Sequence, residues 1–136
     1  MRRAVVIGIL FALLTASYGT TDSTFSYQGQ DGNAPTVGML SEGDARKFEP
    51  AELTIPKGTT VTWQHVSGST HTATADPSRV KDSANVALPE GAEPWESVDL
   101  TSGQSWSYAF DVPGTYRYFC VPHEGRGMVG TITVTE

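Results

Sequence analysis

Residues 104–135 read QSWSYAF DVPG TYRYFC VPHEGRGM VGTITVT. Trp106, Tyr108 and Phe110 alternate with Ser105, Ser107 and Ala109, the period of two that gives a strand one apolar face. The turn formers Asp111-Val112-Pro113-Gly114 follow, and residues 115–120 are aromatic-rich with high strand propensity. Residues 129–135 add a β-branched strand. Upstream, residues 48–55 carry Leu53 and Ile55 at alternating positions, and Pro56-Lys57-Gly58 marks a turn. Residues 59–63 then place Val61 and Trp63 on one face and Thr60 and Thr62 on the other. No long stretch has a helical period. The expected fold is all-β, a Greek-key β-sandwich over residues 39–136, long enough to bury one core. Tyr116, two residues after Gly114, is placed to return its hydroxyl to the preceding turn as a tyrosine corner. Between His71 and Trp95 the pattern weakens, so a long loop with one short strand or helical turn is expected there.

The interruption between the last two strands carries the chemistry. Cys120, His123 and Met128 put a thiol, an imidazole and a thioether on one short loop. Two residues between Cys120 and His123 let the chain turn back so that both side chains reach one ion, and Met128 approaches from another direction. Thiolate favours Cu(I), imidazole serves both oxidation states, and a distant thioether imposes neither preference. A fourth ligand must come from elsewhere. His65 and His71 are the two candidates. His71 lies past the strand ending near Trp63, where a loop could carry it over the end of a sandwich. His65 continues the inward parity of Val61 and Trp63, which suits a hydrogen-bonded structural residue but leaves it open as an alternative ligand. Met39, a competitor for the thioether role, has no ligand residues near it in sequence.

The N-terminus bears on how Cys120 is read. Met1-Arg2-Arg3 is a positive start, residues 4–16 (AVVIGILFALLTA) are apolar, and small residues follow, the pattern of a secretory signal peptide over residues 1–19. An uncleaved anchor is the other reading, although the run falls short of the roughly 20 apolar residues of a membrane span. Residues 20–38, rich in Thr, Ser, Gly and Gln, are expected to form a flexible linker. The protein is therefore expected to be exported, in a periplasmic or other extracytoplasmic compartment, with membrane association through its N-terminal segment as an option. In an oxidising compartment a structural cysteine wants a partner, and Cys120 is the chain's one cysteine. A leftover cysteine points to intermolecular pairing, a reactive thiol or a metal ligand, and the metal also explains His123 and Met128. Loss of Arg2 and Arg3 would move the formal net charge from −6 to −8. That acidity speaks against nucleic acid as a partner.

Taken alone, Cys120 would read as a small buried hydrophobe, and Met128 as a gap filler. Their spacing around His123 outweighs both readings. Trp63, Trp106, Tyr108, Tyr116 and Tyr118 read as core.

The run PGTYRYFCVPHEGRGMVG, residues 113–130, resembles the copper-binding signature of the plastocyanin branch of the cupredoxins, and within it is most similar to the halocyanins of haloarchaea. Residues 56–63 and His71 fall where that family has a strand and its first histidine, and the resemblance covers residues 39–136. It implies a cupredoxin-like Greek-key sandwich holding one copper ion, with His71, Cys120 and His123 as strong ligands and Met128 as the weak axial one. Thr72 replaces the asparagine frequent after the first histidine, yet the backbone N–H that serves the cysteine sulfur is retained. Phe119 replaces the tyrosine of plant plastocyanins, whose clustered acidic residues have no counterpart after Asp76.

The resulting expectation is a mononuclear type 1 (blue) copper protein that carries one electron, cycling between Cu(I) and Cu(II), and acts as a monomer. Its partners would be redox proteins, a donor and an acceptor, with a membrane-bound oxidase or a cytochrome as the expected class. The exposed ring edge of His123 would be the electron port, with Val121, Pro122 and Val129 as an apolar docking rim. Copper oxidases and nitrite reductases contain similar domains, but they couple a second copper centre through histidines beside the cysteine, where this chain has Phe119 and Val121. No open coordination position is left for a substrate. A copper storage or delivery module is the alternative, weakened by the few methionines, Met1, Met39 and Met128.

Overall fold

The computed structural model describes residues 24–26 and 34–136. The expected signal or anchor, residues 1–19, lies outside the described residues, as does much of the expected linker. Two parts of that linker are strand instead: β1 (Thr24–Ser26) and the start of β2 (Thr36–Glu42). Strand packed into the core therefore begins before residue 39, because Val37 shares the inward parity of Met39 and is buried with it.

β3 (Ala45–Glu49) and β4 (Glu52–Pro56) follow, then β5 (Thr59–His65), β6 (Thr74–Ala75), β7 (Trp95–Glu96), β8 (Ser105–Phe110), β9 (Gly114–Phe119) and β10 (Val129–Thr135). One sheet has the order β1-β4-β10-β9-β6-β7 and the other β3-β2-β5-β8. The single strand expected over residues 48–55 is thus two strands in different sheets. A cis bond joins Glu49 to Pro50 between them, and proline supplies no N–H to a ladder. Both sheets are mixed: β2 runs parallel to β5 and β4 parallel to β10, while β5–β8 and β9–β10 are antiparallel.

The core is the pair of facing inner surfaces. Val61 and Trp63 on β5, Tyr116 and Tyr118 on β9, and Ile132 and Val134 on β10 are all buried, in the alternation a half-buried strand requires. Trp63 is the hub, with ring centroids 5.4 Å from both Trp95 and Tyr118 and 5.7 Å from Trp106. Gly130 leaves room for the Tyr118 ring, into which a Cβ at that position would run. Trp106 and Tyr108 point inward as expected but stay half-buried, because β8 is an edge strand and they close the side of the sandwich by stacking with Trp95 and each other. The loop between His71 and Trp95 holds the short β6 and one 3-10 turn, Ser83–Asn85.

The tyrosine corner is present: the Tyr116 hydroxyl donates to the Val112 carbonyl at 2.7 Å. It ties the start of β9 to the turn that precedes it. A Tyr116→Phe variant is expected to lose about 1 kcal/mol in urea denaturation with an unchanged m-value.

Candidate metal centre

The functional residues come from the middle and the last part of the fold's sequence and meet at one end of the sandwich. After β9 ends at Phe119, the chain enters a 3-10 turn, Val121–Arg126, with Cys120 at its N-cap. The turn is closed by backbone bonds: His123 N–H donates to the Cys120 carbonyl at 3.1 Å, Cys120 N–H to the Met128 carbonyl at 3.0 Å, and Met128 N–H to the His123 carbonyl at 3.3 Å. Gly127 ends it at φ 74°, a left-handed conformation that favours glycine. This geometry turns Cys120, His123 and Met128 back onto one another. On the opposite wall, His71 is held by a backbone exchange with Leu100, at 3.0 Å and 2.9 Å.

The donor atoms of His71, Cys120 and His123 lie within 4.8 Å of one another. The Cys120 sulfur is 3.8 Å from His71 Nδ1 and 3.4 Å from His123 Nδ1. Cys120, His71 and Met128 have no exposed surface, and His123 is 9% exposed. The outer ring nitrogens are occupied: His71 Nε2 donates to the Ser67 carbonyl at 3.0 Å, and His123 Nε2 meets the Ser69 hydroxyl at 3.2 Å. A carbonyl can only accept, so His71 carries its proton on Nε2 and presents a bare Nδ1 to the sulfur. A soft thiol, two imidazoles aimed at it and a buried thioether form the donor set that suits copper. A copper ion therefore fits these residues.

Thr72 joins the two walls. Its N–H donates to the Cys120 sulfur at 3.3 Å, and its hydroxyl accepts from Val121 N–H at 2.9 Å while meeting Thr74 Oγ1 at 3.0 Å. The retained backbone donor expected at Thr72 is thus in place, and the threonine hydroxyl adds a second bond across the site.

His65 is buried at 2% exposure and stands beside His71, ring centroids 5.0 Å apart. Its Nε2 donates to the Ser69 carbonyl at 2.8 Å, and it lies outside the cluster of donor atoms. The edge of His123 is less open than expected, because the Ser69 hydroxyl lies against its outer nitrogen. Pro122 is exposed, whereas Val121 and Val129 are partly buried.

Ser67, Ser69 and Glu124 were not singled out by sequence reasoning. Glu124 is 6% exposed, and its carboxylate accepts from the N–H groups of Lys81 and Asp82 at 3.0 Å and 2.9 Å and from Asn85 Nδ2 at 3.2 Å. It clasps the 3-10 turn Ser83–Asn85 to the ligand loop. A carboxylate directly after His123, facing a loop with free N–H groups, was the available signal. Burial pushes its pKa up, but these donors outweigh burial and hold it below the ordinary carboxylate value.

Burial pushes the Cys120 thiol up, against the N–H donors of Thr72 and His123. Burial lowers His71, opposed by its bond to Ser67, and burial with the nearby Arg46 and Arg126 lowers His123. The copper-free site thus holds a protonated thiol and neutral imidazoles, so copper uptake must release the thiol proton.

A family model described as copper binding proteins, plastocyanin/azurin family, matches residues 36–135. The plastocyanin of Scenedesmus fuscus is 43% identical over 101 residues, covering 73% of this chain and 97% of that protein. An amicyanin variant in a reduced Cu(I) form is 28% identical with a TM-score of 0.57, covering 79% of this chain and 87% of that one. A copper-containing nitrite reductase from Thermus scotoductus is 28% identical with a TM-score of 0.56, over 76% of this chain but 23% of its own.

Two outcomes follow from this geometry. Thr72→Val leaves the Val121 N–H without its acceptor and should cost about 1–3 kcal/mol in denaturant unfolding. For pH, the folded copper-free protein binds fewer protons at His71 and His123 than the unfolded chain below the ordinary histidine value of 6.5. That contribution to stability is full above 6.5 and is lost as pH falls from there through the lowered values of the folded protein. The melting temperature of the copper-free protein should therefore drop on acidification below that point, and a double His71→Asn, His123→Asn variant should flatten the drop.

Proposed function

The chain belongs to the plastocyanin/azurin family of copper-binding proteins, and on that premise we propose that its single copper is held by His71, Cys120, His123 and Met128. The protein is a mononuclear type 1 copper protein that carries one electron between redox proteins. The observation that carries the ligand assignment is the convergence of three donor atoms within 4.8 Å, with a fully buried Met128 bonded through its backbone to both Cys120 and His123.

When bound, copper supplies exchange of one electron between Cu(I) and Cu(II). The protein's part is to hold the donors still. The Thr72 N–H directs a donor at the sulfur and supports its thiolate form. The Ser67 carbonyl fixes the His71 tautomer, and the backbone bonds of the ligand loop set Cys120, His123 and Met128 relative to one another. Burial keeps water from the sulfur, so each transfer needs little solvent rearrangement.

Electron carriage without substrate turnover is part of the same proposal. The likeness to the nitrite reductase spans 23% of that enzyme, and Phe119 and Val121 flank Cys120 where a coupled second copper would need histidines. The docking face is assigned to the surface around exposed Pro122, next to His123, with Val121 and Val129 at its rim. A donor and an acceptor outside the cytoplasm, export by residues 1–19, a carrier domain starting at β2 and a place in the halocyanin branch complete the reading. The apolar run near the N-terminus and the lone cysteine support export, and the motif of residues 113–130 supports the branch.

Adding Cu(II) to the copper-free protein should give an intense blue colour from thiolate-to-copper charge transfer. His71→Ala should abolish it and His65→Ala should keep it; a pale, ordinary Cu(II) spectrum in the unaltered protein contradicts the reading. Val129→Glu, which puts like charges on the docking face of two approaching copies, should slow electron self-exchange by about tenfold or more. An unchanged rate removes Val129 from that face.

A further inference from the structure

The chain's three tryptophans, Trp63, Trp95 and Trp106, touch one another. Ring centroids are 5.4 Å apart for Trp63 and Trp95, 5.7 Å for Trp63 and Trp106, and 5.9 Å for Trp95 and Trp106. The cluster has one open end. Trp106 is half-buried on the edge strand β8, whereas Trp95 is 5% exposed and Trp63 has no exposed surface. The inner end faces both walls of the metal centre. On β9, Tyr118 stands 5.4 Å from the Trp63 ring and shares the inward parity of Cys120, two residues on. On β5, Trp63 shares the inward parity of His65, whose ring is 5.0 Å from that of His71. A phenyl ring fills space as an indole does, but an indole also gives up one electron to a strong oxidant, so these contacts form an electron path as well as a core.

We propose that the tryptophan cluster repairs oxidative damage at the protein surface, by letting the reduced metal centre return an electron to Trp106 after an oxidant has taken one. This inference rests on the copper reading above. An oxidising radical removes one electron from the Trp106 ring, and the indole N–H proton leaves to water. One electron then crosses from the site through Trp63 to Trp106, which takes a proton back from water and is tryptophan again, while the site passes from Cu(I) to Cu(II). One electron has gone to the radical and one has left the site, and a redox partner restores the latter. Trp63 acts as the stepping stone because it is wholly buried. No water reaches its N–H to take the proton, so the electron deficiency moves on instead of settling there. Trp95 Nε1 is also buried and has no hydrogen-bond partner among the described residues, unlike most buried indoles.

Pulse radiolysis with the azide radical, a one-electron oxidant of indole, tests this on the full protein loaded with copper and reduced. The tryptophan radical absorption should decay as the blue Cu(II) absorption grows, at a rate independent of protein concentration, and in the copper-free protein the radical should outlive that decay. Trp106→Phe should lose the tryptophan radical, because the other two rings are buried. Trp63→Phe should slow the transfer about tenfold, a barrier higher by about 1.4 kcal/mol, while the blue spectrum of the oxidised protein stays as it was. A radical decay that scales with protein concentration, or a rate unmoved by Trp63→Phe in a folded blue protein, overturns the inference and leaves the copper reading standing. If Trp63→Phe does not fold, the concentration dependence and Trp106→Phe decide. A protein that never turns blue fails the copper reading, and the electron path fails with it.

Discussion

The Thr72 clasp is the constraint on which the site depends. Its N–H reaches the Cys120 sulfur and its hydroxyl receives the Val121 N–H, so one residue fastens the chain after His71 both to the cysteine side chain and to the backbone that follows it. The partners are 48 and 49 positions apart in sequence. Backbone pairing starts their approach, since Thr74, in β6, pairs with Phe119 of β9 in an antiparallel register that runs on to place Thr72 opposite Val121. A side-chain bond inside a buried site is stronger than its surface equivalent, and an unsatisfied partner there is costly. The clasp therefore closes the end of the sandwich as well as the metal site.

The sandwich in turn explains why the donors stay put. Trp63 and its ring neighbours fill the space between the sheets, and β9 and β10 leave that core to form the two ends of the ligand loop. Gly127 and the three backbone bonds joining Cys120, His123 and Met128 fix the loop. Glu124 adds a fastening on the far side by taking the N–H groups of Lys81 and Asp82. Ser67 and Ser69 cover the outer ring nitrogens. The donors are thus held by bonds within the fold, and an electron carrier needs that, since rearrangement on each transfer slows it.

Much of this was legible in the sequence for a physical reason: β10 pairs a strict period of two with β-branched residues, and the Cys120–His123–Met128 spacing has few structural uses besides metal binding. The tyrosine corner at Tyr116 was legible because it is local, a hydroxyl returning four residues to Val112. What escaped was non-local. Phe48 and Leu53 looked like one strand because both are apolar, yet Pro50 divides them between sheets. Thr36 and Val37 were assigned to a linker because the composition around them is polar, whereas their parallel pairing with Thr62 and Trp63 makes them strand. Ser67, Ser69 and Glu124 carry no motif of their own. Their importance comes from where two loops meet, which periodicity does not encode. His65 has the inward parity that its place on the strand implies, and its bond to the Ser69 carbonyl is a loop contact that periodicity does not encode.

The central claim is that the protein presents one fixed set of donors to copper in both oxidation states. X-ray absorption at the copper edge, recorded on the Cu(II) protein and again after reduction, tests this most directly. The account predicts one sulfur and two nitrogen neighbours at short range in both forms, with bond lengths nearly unchanged between them. Loss of a nitrogen neighbour on reduction, or a Cu(II) site without a short sulfur bond, would contradict it.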